Sequence, residues 1–580
     1  MLRFAALLTL AAALVSGCRG GSADPSPARP EGRRLLILSL DGLPWDLAQR
    51  RMAAGRMPHL AALAARGACA EDGSVSCFPA KTAPAHATLW TGAWADRHGI
   101  LGNETHPLPR GTATILDARP GFDAGALRAE PIWRSAARAG LSVTVIQATQ
   151  AQPEHPDDRG FDNLTIFNGY QGLVNSSLVT GGTFAVDGRV FLVERDGDAL
   201  TVSSGALRVP LRRDGFTAVD HPGVSGVFYL AIGHLDASGW TLLRSSFGPV
   251  AAPSRGDAAR FRAAVGGYAY NAQKLEPPLV DGTEWRRALY LAATRLNAEQ
   301  VAKAVEWALG ENRPDLVIAY LPQPDEALHL LLGRSEIWGD REATEVLDAV
   351  LDICDALVGR LVAAAGPEMG IAVVSDHGMA VTDRVMYPNL ALERAGLLAR
   401  DGKGRVDLSR TQVMFSRAGD ALVVNTRDRL QGIVPSEEKE AWLALAERAV
   451  MREAEAALGA GALGAPVRPG APGDGPRVSA EGDSWLSATI TGGRMTAFLR
   501  PDLPPANTPV VRPIPPIGMH AGDPRDGRIR GMLLFAGPGF RHARVAGARH
   551  VDFAPTVSAW LGIAPPADSE GRILVEILED

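Results

Sequence analysis

A threonine, Thr82, stands at the centre of the stretch CFPAKTAPAHATLWTG from Cys77 to Gly92, which continues through ADRHGILGN to Asn103. An aliphatic hydroxyl is a poor nucleophile near neutral pH, so catalysis by Thr82 requires a neighbour that stabilises an alkoxide. A metal is the obvious candidate, and ligand-type side chains occur in a particular arrangement. Asp41 follows the apolar run RRLLILSL, Asp325 and His329 follow DLVIAYLPQP, Asp376 and His377 follow GIAVVS, and His520 precedes RGMLLFAGPG. A lone Asp-His pair is usually a turn, and a lone Thr before Pro a helix cap. Three aspartates and three histidines together are the inventory for two zinc ions, an oxygen and nitrogen set that manganese and iron also accept.

Short continuous runs of Val, Ile and Leu read as strands buried on both faces of a parallel sheet. Ligands of open α/β sheets bind beyond the carboxyl ends of the strands, so residues remote in sequence can converge there. Thr82 is placed at a helix start, with Pro84 in the first turn, where a missing N–H costs little. Backbone N–H groups at such an end favour a phosphoryl oxygen. The Asp325–His329 spacing puts both side chains on one face of a helix. Helix and strand alternate elsewhere: MPHLAALAARG with Gly67 as its stop, PIWRSAARAG before LSVTVIQA, a helix from Trp285 to Leu309, and EATEVLDAVLDICDALVGRLVAAA with Cys354 on its apolar stripe.

The motifs SLDG, TAPAHATLWTG, HGILGN, PDEALH, VSDHGM and GMHAG, in this order, resemble the type I phosphodiesterase and nucleotide pyrophosphatase branch of the alkaline phosphatase superfamily. The resemblance implies an α/β three-layer sandwich with a mainly parallel central sheet. It also implies zinc-dependent hydrolysis of phosphoric diester or pyrophosphate bonds in a small nucleotide-like substrate, through a covalent threonyl-phosphoryl intermediate. One zinc would be held by Asp41, Asp376, His377 and the Thr82 oxygen, the other by Asp325, His329 and His520. Asn103, otherwise a turn residue, would hold a non-bridging oxygen together with the nucleophile's backbone N–H. His98 is expected to be structural. CFPAK resembles the sulfatase motif C-x-P-x-R, but counting back from Thr91 and Gly92 puts Thr82 at the nucleophile position and His86 where a sulfatase carries Arg. Phosphomonoesterases and phosphonate hydrolases share the two-metal core; the former tend to use Ser with an Arg, whereas here Thr82 has only Lys81 beside it. The reading from another class, a non-catalytic lipid-anchored zinc protein, predicts lost catalytic groups, and none is missing.

The 580 residues, 46% hydrophobic and 21% charged with a formal net charge of -6, suffice for one large domain with additions and offer no basic footprint for a nucleic-acid polymer. Arg3 precedes a short apolar segment from Phe4 to Val15, too short for a permanent span, and LVSGC resembles a bacterial lipobox ending at Cys18. The expected map begins with a lipoprotein signal peptide (1–17) and a Gly/Pro/Ser-rich tether (18–32). The catalytic α/β core then runs in three segments, 33–168, 256–401 and 511–580, separated by a β-rich insertion (169–255) and a cap-like insertion (402–510). A lipidated Cys18 places the chain on a bilayer of the bacterial cell envelope, outside the cytoplasm. Cys69 and Cys77 are close enough in sequence to close a small loop; with Cys354 the number is odd, so the pairing stays open.

Overall fold

The computed structural model describes residues 32–168, 173–267, 283–470 and 476–579. The expected lipidation site Cys18, the expected signal peptide and nearly all of the expected tether lie outside these residues.

The centre is an eight-stranded sheet whose strands, numbered in chain order, are β1 (Leu35–Leu40), β2 (Ala68–Ala70), β3 (Val143–Ile146), β4 (Leu164–Phe167), β5 (Leu316–Leu321), β6 (Gly370–Val374), β7 (Leu533–Ala536) and β8 (Ala543–Val545). Their spatial order is β8-β2-β7-β6-β1-β5-β3-β4. The run β6-β1-β5-β3-β4 is parallel, and β7 lies antiparallel to both of its neighbours. β1 is buried at every position because both faces are covered. Leu36, Leu38 and Leu40 face a layer that includes helices Pro58–Arg66, Glu284–Glu311 and Arg341–Ala365; Leu35 and Ile37 face the layer of Thr82–Thr91, Ile132–Arg138 and Phe553–Leu561. The expected α/β sandwich of three layers, with a mainly parallel sheet, is present.

Two additions decorate it. Between Ser177 and Arg244 the chain forms two four-stranded sheets that share one apolar core around Phe191, Val202, Phe228 and Leu242. A hairpin over RDGDAL is formed by Arg189–Asp196 and Ala199–Ser204, with Gly197 at φ 57° in its turn. The second addition contains the hairpin Val413–Ser416/Ala421–Val424 and the helix Lys439–Leu458, packed into a separate core with Tyr387, Leu390 and Trp485. A five-stranded sheet built on Ala380–Met386 takes Ile490–Thr491, Arg494–Met495, Phe498–Leu499 and Val511–Met519. Its strands therefore come from both sides of the expected boundaries at 401 and 510.

Cys69 and Cys77 do not pair. Cys69 lies on β2 in the sheet's core, while Cys77 is buried with Ala85, Trp94 and Val551 and donates its thiol hydrogen to the Pro79 carbonyl at 3.1 Å. Burial pushes the Cys69 thiol up to about 11 and those of Cys77 and Cys354 up to about 12, so almost no thiolate exists at neutral pH. Iodoacetamide at pH 8 is therefore expected to leave all three unmodified in the native protein and to alkylate all three in denaturant, as read by peptide mass spectrometry. A disulfide between Cys69 and Cys77 would instead leave those two unmodified in denaturant until a reductant is added.

Candidate active site

β1 and β5 run side by side in register from Leu35/Leu316 to Leu40/Leu321, and β6 flanks β1 on its other side. Asp41 is the residue after β1, Asp325 opens a helix that follows β5 (Asp325–Trp338), and Asp376 and His377 follow β6. Three strand ends thus deliver carboxylates to one place. His520 comes from elsewhere: it follows Val511–Met519, and pairing of Met519 with Ala380 draws it in beside His377. The His377 and His520 rings stack with centroids 3.8 Å apart, and His329 lies 5.0 Å from His520.

These side chains form two overlapping groups of ligand atoms: Asp41, Asp376 and His377, and Asp325, His377 and His520, each within 4.8 Å. His377 belongs to both. His329 joins through Asp325, its Nε2 lying 3.4 Å from Oδ2, and His520 Nε2 lies 3.9 Å from Asp325 Oδ1. His377 Nε2 stands 3.2 Å from Asp376 Oδ2 and 3.7 Å from Asp41 Oδ1. Asp41 Oδ1, Asp325 Oδ1, Asp376 Oδ2 and His377 Nε2 are all buried without a hydrogen-bond partner, an arrangement that a cation would satisfy. The tautomers agree. Nδ1 of His329 faces the Gly518 carbonyl at 2.8 Å, that of His377 the Gly378 carbonyl at 3.0 Å, and that of His520 the Ala80 carbonyl at 2.7 Å. Each Nδ1 therefore carries the proton, and each Nε2 presents its lone pair to the cluster.

The charge pattern points the same way. Burial, with Asp376 and Asp325 nearby, holds the Asp41 carboxyl well above the usual aspartate range. Burial also opposes the Asp376 charge, but His377 and His86 outweigh it and lower that carboxyl. Burial and the two neighbouring histidines keep the His520 imidazole neutral. Two fixed contacts orient the aspartates: Tyr320 donates its hydroxyl to Asp41 Oδ2, and Gly42 N–H donates to Asp376 Oδ1 at 2.9 Å.

Thr82 is the first residue of the helix Thr82–Thr91, which begins after Lys81 and ends at Gly92. With Asp41, Asn103, Tyr320, Asp325 and His329 it lines a cavity of about 880 Å³, whose lining also includes Phe122, Thr149, Gln150 and Asn168. Asn103 Oδ1 accepts from Ala83 N–H at 3.0 Å. That bond takes up one N–H of the helix start and leaves Asn103 its NH₂ as donor. His98 stays apart from the cluster, bonded to Thr88 Oγ1 at 3.1 Å and to Ile100 N–H. Lys81 pairs with Asp420, in the turn of the Val413–Val424 hairpin, so its charge is already answered. Burial lowers the Lys81 ammonium to about 8. Sequence reasoning gave His86 no role in the site and passed over Tyr320 and Gln150, since a buried His on a helix and a Tyr inside an apolar strand carry no ligand pattern.

Gly42 has φ +66°, and a Cβ there would lie 2.7 Å from Asp325 Oδ1 and 3.0 Å from Asp325 Cα. Gly42→Ala is expected to cost about 1–3 kcal/mol, read by denaturant unfolding, and to lower metal affinity by displacing Asp325, read by competition with a chelator.

The family model "type I phosphodiesterase / nucleotide pyrophosphatase" matches residues 35–457. The bovine bis(5'-adenosyl)-triphosphatase ENPP4 is 33% identical over 102 residues, 18% of this chain and 20% of that protein. Rat ectonucleotide pyrophosphatase/phosphodiesterase family member 7 is 30% identical over 144 residues, 24% of this chain and 30% of that protein. The chain thus aligns with a third or less of the length of these curated relatives. Two solved structures share the fold at 14% identity, each covering 94% of this chain and all of the other. They are human ectonucleotide pyrophosphatase/phosphodiesterase 5, with a TM-score of 0.51, and an inactive variant of the murine protein in complex with AMP, with a TM-score of 0.50. With a match over most of its length, on a sandwich of the alkaline-phosphatase-like type, the chain belongs to the type I phosphodiesterase / nucleotide pyrophosphatase family.

Proposed function

We propose that this chain is a metal-dependent phosphodiesterase or nucleotide pyrophosphatase that uses Thr82 as nucleophile. The observation that carries the reading is the juxtaposition of Thr82 and Asn103 with a buried cluster whose orphaned ligand atoms face one another. Asp41, Asp376 and His377 would hold one divalent cation and Asp325, His329 and His520 a second, with zinc the best match to the nitrogen and oxygen donors. When bound, such ions supply charge for the attacking and leaving oxygens of an in-line displacement.

The chain's own groups do the rest. The Thr82 oxygen attacks phosphorus, its proton leaves to solvent, and the bond to the leaving alcohol or nucleotide breaks, giving a threonyl phosphoester. Water then cleaves that ester and restores the Thr82 hydroxyl. The Asn103 NH₂ is the donor for the non-bridging oxygen on which charge accumulates, held in place by its bond to Ala83 N–H. The histidine tautomers and the Tyr320 and Gly42 contacts hold the ligands ready, so little reorganisation accompanies the reaction. Two features favour a diester over a monoester. Lys81 is engaged with Asp420, and no Arg or Lys occurs among the described residues lining the cavity, so nothing there answers the extra charge of a phosphate dianion. The nucleotide-like class is supported by the family and by the AMP in the complex of the murine relative.

Hydrolysis of bis-p-nitrophenyl phosphate is expected to exceed that of p-nitrophenyl phosphate, to vanish with EDTA and return with zinc, and to fall by about three orders of magnitude or more in Thr82→Ala. A faster monoester reaction lost in the same variant would transfer the site to a phosphatase. Zinc binding with neither ester cleaved would leave a non-catalytic zinc protein.

We also propose that Cys18 is lipidated and anchors the chain outside the cytoplasm in a bacterial envelope membrane. Metabolic labelling with an alkyne palmitate is expected to mark the wild type and not Cys18→Ala; equal labelling of both would remove the anchor.

A further inference from the structure

His86 lies within the motif that carries Thr82, four residues along the same helix, and is fully buried. Its ring sits edge-on to Tyr320, with centroids 5.2 Å apart, and 5.4 Å from Trp90. Packing alone would accept a phenyl ring of the same size. The ring nitrogens, however, meet three polar groups. Nδ1 lies 2.9 Å from the Thr82 carbonyl oxygen and 3.3 Å from Asp376 Oδ2, and Nε2 lies 2.8 Å from Ser39 Oγ on β1. The Thr82 carbonyl accepting at Nδ1, with the Asp376 carboxylate beside it, fixes the proton there. Nε2 then offers a lone pair, and Ser39 donates to it.

We propose that His86 is a positioning residue whose Nδ1–H, bonded to the Thr82 carbonyl, fixes the first turn of the helix that presents Thr82 and turns its positive edge toward Asp376 Oδ2 at 3.3 Å. The inference deepens the hydrolase reading and rests on Thr82 and Asp376 having the roles given above. Asp376 Oδ1 is already held by Gly42 N–H, so Oδ2, the atom facing His377, is the one whose direction the second contact sets. Tyr320 does the same for Asp41, and the two holding residues touch each other. The outer partners of the cluster thereby form one packed unit, anchored on β1 through Ser39 and on β5 through Tyr320.

Three substitutions separate a donor from a shape. In His86→Phe the ring stays and both nitrogens go; in His86→Asn an amide nitrogen falls close to the place of Nδ1; in His86→Gln the amide reaches the place of Nε2 instead. Zinc affinity is read on the full chain by competition with a chromophoric chelator. kcat and KM for bis-p-nitrophenyl phosphate are read at saturating zinc.

His86→Phe is expected to bind zinc about 10–100-fold more weakly, with kcat lowered more than KM is changed. His86→Asn is expected to recover most of both losses, and His86→Gln neither. Wild-type zinc affinity in His86→Phe would overturn the proposal, as would equal losses in all three variants. Should His86→Phe not fold, the order of Asn and Gln decides: tighter zinc binding by Asn supports the role and equality overturns it. A wild type that binds zinc but cleaves nothing refutes the hydrolase reading while the affinity order still settles His86; a wild type that binds no zinc refutes both.

Discussion

Three carboxylates, Asp41, Asp325 and Asp376, gathered at neighbouring strand ends are the constraint that the rest of this structure accommodates. Like charges in a low-dielectric site repel strongly, and the protein disperses that repulsion in a graded way. Asp41 is pushed towards its protonated form. Asp376 stays ionised through the histidines beside it. Each is also pinned by an outside donor, the Tyr320 hydroxyl or the Gly42 N–H. The remaining lone pairs point inward with nothing to accept from. A rigid sheet of fully buried strands can impose such an arrangement because β1, β5 and β6 are locked in register with both faces covered.

Much of this was legible in the sequence, for a definite reason. A strand buried on both faces must be a continuous apolar run, and the first polar residue after it marks the strand's carboxyl end, so LLILSL-D and GIAVVS-DH announce ligands and positions together. His520 was harder. Its strand reads VRPIPPIGM, where three prolines mask the β pattern. Prolines are tolerated on strands where no ladder N–H is needed, and the Val511–Met519 register against Ala380–Met386 shifts between Thr382 and Arg384. The same blindness hid the five-stranded sheet, whose short pieces from 490–499 read as belonging to the cap. His86 and Tyr320 escaped for another reason: what they do depends on which atoms their side chains meet, and that is a property of tertiary packing with no local spacing to reveal it.

The second addition does more than decorate the sheet. The turn of its hairpin places Asp420 on Lys81, the residue before Thr82, and Arg417 on Glu104, the residue after Asn103. Gly419 N–H also donates to the Glu104 carbonyl. One short turn therefore braces the segments that carry Thr82 and Asn103, and the two ion pairs are unequal in strength. The Lys81 pair is largely withdrawn from solvent, while Arg417 is mostly exposed and contributes little.

The position of His520 has a mechanical consequence. Asp41 and Asp376 belong to the central sheet and its core, whereas His520 hangs from the five-stranded sheet that packs with the second core. A cation held by Asp325, His329 and His520 would act as a rivet between the helix that follows β5 and the five-stranded sheet. Its removal would loosen that seam rather than melt either side.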